Sequence, residues 1–235
     1  MKRIFTIILA LIIAVADVCA QKARIKNLPN YDNKTWHFGF SLGTNNLGFN
    51  ITKADNFYET TDVYGVDAVK YTGFHLGPLS NLRLCKYLDL RMMFNLSFNQ
   101  RDLVFHYVDT KGENRILCQH TMKISSTMLE FPVQLKYKAQ RMNNFAPYVL
   151  AGANFRYDLN GGDDNGGDDQ LQLKKIDPCI EWGIGFDCYL QFFKLSVELK
   201  YGLGIMDTFS PNGSMYSNSI KSIKSSGWTL SLHFE

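Results

Sequence analysis

The 235-residue chain carries 25 basic and 22 acidic side chains, a formal charge of +3, which is no electrostatic footprint for nucleic acid. Aromatic residues make up 14% while mean hydropathy is slightly negative, which suits surfaces that are apolar on one face only. The cysteines are widely spaced with no C-x-x-C pair, so a zinc site is unsupported.

Met1 to Ala20 reads as a secretory signal peptide. Lys2 and Arg3 charge its start, and Ile4 to Ala16 is apolar but too short to span a bilayer. Val18 and Ala20 precede a cleavage point between Ala20 and Gln21, and removing Lys2, Arg3 and Asp17 leaves a charge of +2. Cys19 raises the alternative of lipidation, against which Val18 is branched where a small residue is expected. The other cysteines are Cys85, Cys118, Cys179 and Cys188. The last two fall on opposite faces of one strand and cannot bond to each other, so free or buried thiols are the reading.

Residues 21–34 are polar, basic and Pro-containing and read as an extended periplasmic N-terminal tail; residues 35–235 read as one β domain. Trp36, Phe38, Phe40 and Leu42 alternate with His37, Gly39, Ser41 and Gly43, which opens the first strand. The pattern disappears from Lys53 to Val69. Tyr71 to Leu82 is a weaker strand in which Pro78 predicts a bulge or an early end. Leu88 to Phe98 alternates again, followed by the polar VDTKGENR. Residues 117–138 form a long strand, Tyr148 to Asp158 another, and the Asp-rich NGGDDNGGDDQ precedes the last three. Those are centred on Ile180 to Leu190, Phe193 to Ile205 and Trp228 to Phe234.

Alternation alone does not say which face meets water. Several of these runs are about twice the usual five or six residues and approach the length a tilted strand needs to cross a bilayer. Long polar connections at 51–69, 105–116, 159–174 and 206–222 alternate with short links near 84–86, 139–143 and 192–193. Eight strands with that loop asymmetry, after a signal peptide, predict an all-β fold: an eight-stranded antiparallel transmembrane β-barrel of the outer-membrane type. Both termini are then periplasmic, and the apolar face meets lipid.

The other face then lines the lumen. It carries Asp89, Arg91, Glu130, Lys136, Arg156, Glu181, Asp187, Lys194, Glu198 and Lys200. An eight-stranded barrel holds little more than its own side chains, so these charges predict a plug of ion pairs, with a proton or ion path as the functional alternative. Asp163, Asp164, Asn165, Asp168 and Asp169 are hard oxygen donors and a candidate calcium loop, but the loop lacks the closing Glu of an EF-hand and reads equally as solvated. His37 and His233 face the lumen near one rim on strands that closure makes neighbours, a metal or catalytic pair or a barrel-closing polar contact. His106 and His120 lie toward the other rim, where an outer-membrane hydrolase would carry its catalytic group, yet spacing signals no acid or Ser partner. Gly227, Leu230, Leu232 and Phe234 form a last strand suited to the outer-membrane insertion machinery, although Glu235 follows the aromatic residue.

YDNKTWHFGFSLGTNNLGF (31–49), SNLRLCKYLDLRMMFNLSFNQRDL (80–103), SSTMLEFPVQLKYKAQRMNNFAPYVLAGANFRYDL (125–159) and EWGIGFDCYLQFFKLSVELKYGLG (181–204) resemble the PorT family, also called SprT. This family comprises Bacteroidota outer-membrane barrels required for type IX protein secretion and, in gliding species, motility. The likeness covers nearly all of the chain after the leader. It implies a non-enzymatic secretion component with no cofactor, working with outer-membrane lipids and other type IX components. It carries over no catalytic residue, and neither nucleic acid nor a small-molecule substrate is expected. A structural anchor or adhesin, or an outer-membrane enzyme, is the alternative class.

Overall fold

The computed structural model describes residues 26–54, 63–109, 116–160, 172–211 and 219–235. The expected leader with Ala20 and Gln21, the start of the tail, and all five donors of the Asp-rich loop lie outside the described residues.

Among the described residues there are twelve strands. In chain order they are β1 (Trp36–Lys53), β2 (Val63–Lys70), β3 (Thr72–Arg83), β4 (Leu88–Met93), β5 (Asn95–Asp109), β6 (Ile116–Lys138), β7 (Phe145–Asp158), β8 (Gln172–Leu173), β9 (Ile176–Tyr189), β10 (Lys194–Gly204), β11 (Phe209–Ser210) and β12 (Ile220–Phe234). β8 and β11 pair with each other, and the other ten form one antiparallel sheet. Because β1 pairs with β12 on one side and β3 on the other, that sheet closes into a barrel.

Ten segments make eight staves. β4 and β5 keep a single register on both sides of Phe94, since Leu79 pairs with Met93 and Leu76 with Leu96. The gap falls opposite Pro78, which has no N–H to offer, while the Phe94 N–H still donates to the Pro78 carbonyl at 3.1 Å. Pro78 therefore neither bulges nor ends its own strand; it removes one ladder bond from its neighbour. β2 and β3 are parted by a true bulge: between the pairs Lys70–Arg101 and Phe74–Phe98, Tyr71, Thr72 and Gly73 face only Asn99 and Gln100.

The wall is apolar outside and polar inside. Phe38 is 71% exposed, Ile184 63% and Trp228 55%, whereas their strand neighbours Ser41, Glu181 and Ser231 are buried. In water such a wall would expose a continuous apolar surface around buried charge, which is costly twice over. In lipid it is the stable arrangement, because the closed ladder takes up the wall's N–H and C=O groups away from its few interruptions.

The strands outrun the alternation read from sequence. Stretches expected as loops include β2, the end of β5 and the β8–β11 pair. Here the pattern is inverted in phase. Along β1 the inward residues change from His37, Ser41 and Asn45 to Leu47 and Phe49; along β5 they change from Asn95, Ser97 and Asn99 to Leu103 and Phe105. Phe49, Val63, Leu103, Phe105, Met122 and Ile223 belong to a single buried apolar cluster at this end. The end carrying the long connections thus has an ordinary hydrophobic core, and the end with the short links does not.

Candidate functional site

Parity fixes the polar lumen. β10 points Lys194, Ser196, Glu198 and Lys200 inward, and on β9 Glu198 and Lys200 face Gly185 and Gly183, so each long side chain crosses a partner that has none. The space above Gly185 is taken by Tyr148: a Cβ at residue 185 would lie 2.5 Å from the Tyr148 ring. Tyr148 in turn donates its hydroxyl to Glu198 Oε2 at 2.9 Å.

The structure buries all ten charges singled out in the sequence and brings them together in linked pairs. Glu198 is the hub. Its Oε2 lies 2.7 Å from Arg91 Nη1 and 3.4 Å from His233 Nε2, and its Oε1 3.7 Å from Lys200 Nζ. Lys136 meets both Asp187 oxygens at 2.7 and 2.8 Å, and the Ser196 hydroxyl donates to Asp187 Oδ1 at 2.6 Å. Glu181 accepts from Arg156 at 3.2 Å and Asn154 at 2.7 Å, with Lys200 at 3.4 Å, and Arg156 reaches Glu130 at 3.8 Å. Asp89 is held by Lys138 at 2.9 Å and Asn81 at 3.2 Å. Each ion has a partner of opposite sign, the condition under which buried charge is tolerated.

Arg101 marks the top of this network. Its guanidinium donates to Ser126 at 2.8 Å and Ser225 at 3.3 Å, lies 3.8 Å from Asp158, and rests 4.2 Å from the centre of the Phe49 ring, the first residue of the apolar core.

The short-link end is closed by the tail. Residues 26–34 do not run extended as expected but fold under the barrel, with a 3-10 turn at Tyr31–Asn33. Tyr31 enters the lumen mouth, stacks on His37 at 3.9 Å and donates to Glu235 Oε2 at 2.9 Å. Glu235 also takes Lys194 at 2.7 Å and Arg91 at 3.1 Å. Burial alone would raise the Glu235 pKa, but the Lys194 ammonium and the Arg91 guanidinium outweigh it and hold the carboxyl well below its ordinary range. Tyr31 shifts the other way, its hydroxyl kept protonated by burial and then by the Glu235 charge. Arg141, from the link after β6, sits over the Tyr189 ring at 3.6 Å, donates to the Asn27 carbonyl and pairs with Asp32 at 3.4 Å, which locks the tail to two neighbouring links.

Other sequence expectations meet differing outcomes. His37 and His233 do not meet: His233 is four rungs away, against Ser41, and turns to Glu198, while Tyr31 takes His37. His106 does have an acid, Asp67 Oδ2 at 3.1 Å from its Nε2, supplied by β2 where the sequence showed no strand. Its Nδ1 meets the Gln119 amide at 3.2 Å, so both ring nitrogens are engaged. His120, on β6, stands in register with Phe105 on β5. Leu230, Leu232 and Phe234 lie on the outer face of β12 between β1 and β10, and Gly227 sits on its inner face within 2.4 Å, at the Cβ position, of the Asn46 carbonyl. Cys85, Cys118, Cys179 and Cys188 are all free. Glu235, Lys138, Asp158, Asp177, Arg101 and His75 were missed; Glu235, Lys138 and Asp158 lie one rung beyond His233, Lys136 and Arg156, Asp177 and Arg101 share the parity of Glu181 and Arg91 further along, and His75 lies on a strand to which no face had been assigned.

A family model described as outer membrane protein beta-barrel domain matches residues 19–210. No curated protein matches the chain. Among solved structures, the outer membrane protein OprG from Pseudomonas aeruginosa is 14% identical with a TM-score of 0.45, the alignment covering 83% of this chain and 93% of that one. Neisserial surface protein A is 12% identical with a TM-score of 0.42, covering 85% and 98%. The attachment invasion locus protein Ail of Yersinia pestis is 13% identical with a TM-score of 0.35, covering 86% and 98%.

Proposed function

The chain belongs to the outer membrane protein beta-barrel domain family, and we propose that this outer-membrane barrel is a non-enzymatic component of type IX protein secretion that acts through protein partners. The observation that carries the reading is the filled lumen. Linked ion pairs occupy it from Glu235 to Arg101, and the tail covers its lower mouth, so the barrel offers no passage for cargo. Work in secretion must then be done by surfaces. The resemblance of residues 31–49, 80–103, 125–159 and 181–204 to the PorT family supplies the pathway.

In this reading the protein is exported through the Sec route by its leader, and the short links, the tail and Glu235 face the periplasm. The tail–link assembly built on Arg141, Asn27 and Tyr189 is the surface offered to periplasmic partners, and the long connections face outward. A clean gene deletion, assayed for type IX cargo at the cell surface, tests this. Loss of surface cargo that the full chain restores is expected; normal display overturns it. Deleting residues 22–33 is expected to reduce secretion while leaving the barrel in the outer membrane, and unchanged secretion would exclude the tail as the working surface.

A further inference from the structure

Two hollows meet at the short-link rim. One is a cleft of about 270 Å³ beneath the barrel wall, lined by Lys26, Arg83, Lys86, Lys138 and Arg141. Asp32 pairs with Arg141 and Asp89 with Lys138, so five cations against two carboxylates leave three positive charges in excess. Among the described residues no carboxylate pairs with Lys26, Arg83 or Lys86, and the only hydrogen bond of the Arg83 guanidinium among them runs from Nε to the Cys85 carbonyl at 3.4 Å.

The second is a groove of about 600 Å³ on the outer wall, lined by Tyr137, Val149, Ile184, Phe186 and Leu199. Its sides are apolar and it lies on the face that meets lipid. The two hollows share Ala139, in the link after β6.

We propose that this joined pair is a binding site for one anionic phospholipid, its phosphate in the cationic cleft and an acyl chain in the groove. The charge excess selects an anion, and the groove, which adjoins the cleft at Ala139, selects one attached to a hydrocarbon chain. A free phosphate would leave the groove unused, and a zwitterionic lipid would meet the cleft with no net charge. Cations at a headgroup surface each favour anionic lipid, and the apolar groove adds contact area that a solvated surface patch lacks. The site lies beside Arg141 and Lys138, which hold the tail and Asp89, so a bound lipid would brace the assembly that closes the lumen. The periplasmic orientation proposed above decides only which leaflet supplies the lipid; binding in detergent does not depend on it.

Native mass spectrometry of the full mature chain in detergent, with phosphatidylglycerol, phosphatidylcholine or inorganic phosphate added in turn, tests the site. One phosphatidylglycerol retained per barrel in preference to phosphatidylcholine, and not displaced by inorganic phosphate, is expected. Arg83→Gln with Lys86→Gln should lower that retention on the order of tenfold. Ala139→Trp, which fills the shared position, should lower it as well. Heat-modified gel migration checks that each variant is folded, and Lys86→Gln alone, at an exposed position, carries the test if the double variant is not. Equal retention of both lipids, retention unchanged in the folded variants, or displacement by inorganic phosphate would each overturn the proposal.

Discussion

Below Arg101 the inward side chains are ions locked in pairs; above it they are Phe49, Leu103, Phe105 and Ile223, packed as in a water-soluble protein. The same eight staves build both interiors. What changes is the medium outside. Where the wall lies in lipid its outer face is apolar, and the small lumen takes the polar residues, which must satisfy one another. Where the strands rise past the lipid, the outer face turns polar at Asn50, Thr52, Thr121 and Lys123, and the hydrophobic effect reclaims the inside. The two halves are held together by unlike forces, and they should fail differently.

The sharpest break is Glu198→Ala. It strips the hub from Arg91, Lys200 and His233 and leaves the buried cluster one positive charge in excess, with Arg91 held by Glu235 alone and Lys200 by Glu181 alone, which should cost about 3–5 kcal/mol. The heat-unfolding midpoint in detergent should fall steeply; an unchanged midpoint would mean that these pairs do not hold the lower half. Leu103→Ala, the matching cut in the upper core, should cost about 2–4 kcal/mol through lost packing and a cavity. Its penalty should be the same at high and low pH, because no charge is involved.

Glu235→Gln sharpens the contrast through pH. The Glu235 carboxyl titrates lower in the folded barrel than its ordinary 4.5, so the stability it contributes is complete above about pH 4.5 and is lost as the pH falls through the depressed folded value. The variant should lose about 1.5–3 kcal/mol at neutral pH and show a shallower acid-induced drop than the parent protein. Leu103→Ala should keep the parent's acid slope. Equal slopes in the parent and Glu235→Gln would remove Glu235 from the plug. The smallest effect is expected from Tyr31→Phe, about 1.5 kcal/mol or less, felt locally. Hydrogen exchange should quicken over residues 26–34 and stay unchanged over residues 36–49; uniform change along the chain would deny the tail a separate cap.

The lower half was legible because its alternation is unbroken. Charges such as Glu198 and Lys200 alternate with Val197, Leu199 and Tyr201, and strand length and loop asymmetry together turned their face to a lumen. The upper half was hidden because the phase inverts. Leu47 and Phe49 are odd-numbered where Phe38, Phe40 and Leu42 are even, so an unbroken strand reads as a pattern that stops. β2 vanished from the reading for the same reason, and with it Asp67, the partner of His106. The Tyr31–Glu235 contact was illegible for another: Tyr31 lies in no repeating element, and the contact joins residues 204 positions apart. Pro78 misled because its cost is borne by the facing strand at Phe94 and leaves its own strand whole.

The central claim is that the lumen is filled by its own ion pairs, and steady-state conductance of the full mature chain in a planar bilayer tests it most directly, with insertion verified by protease protection. The account predicts no sustained current above the bare membrane at any voltage the bilayer tolerates. A stable, ohmic open state in the parent protein would contradict it.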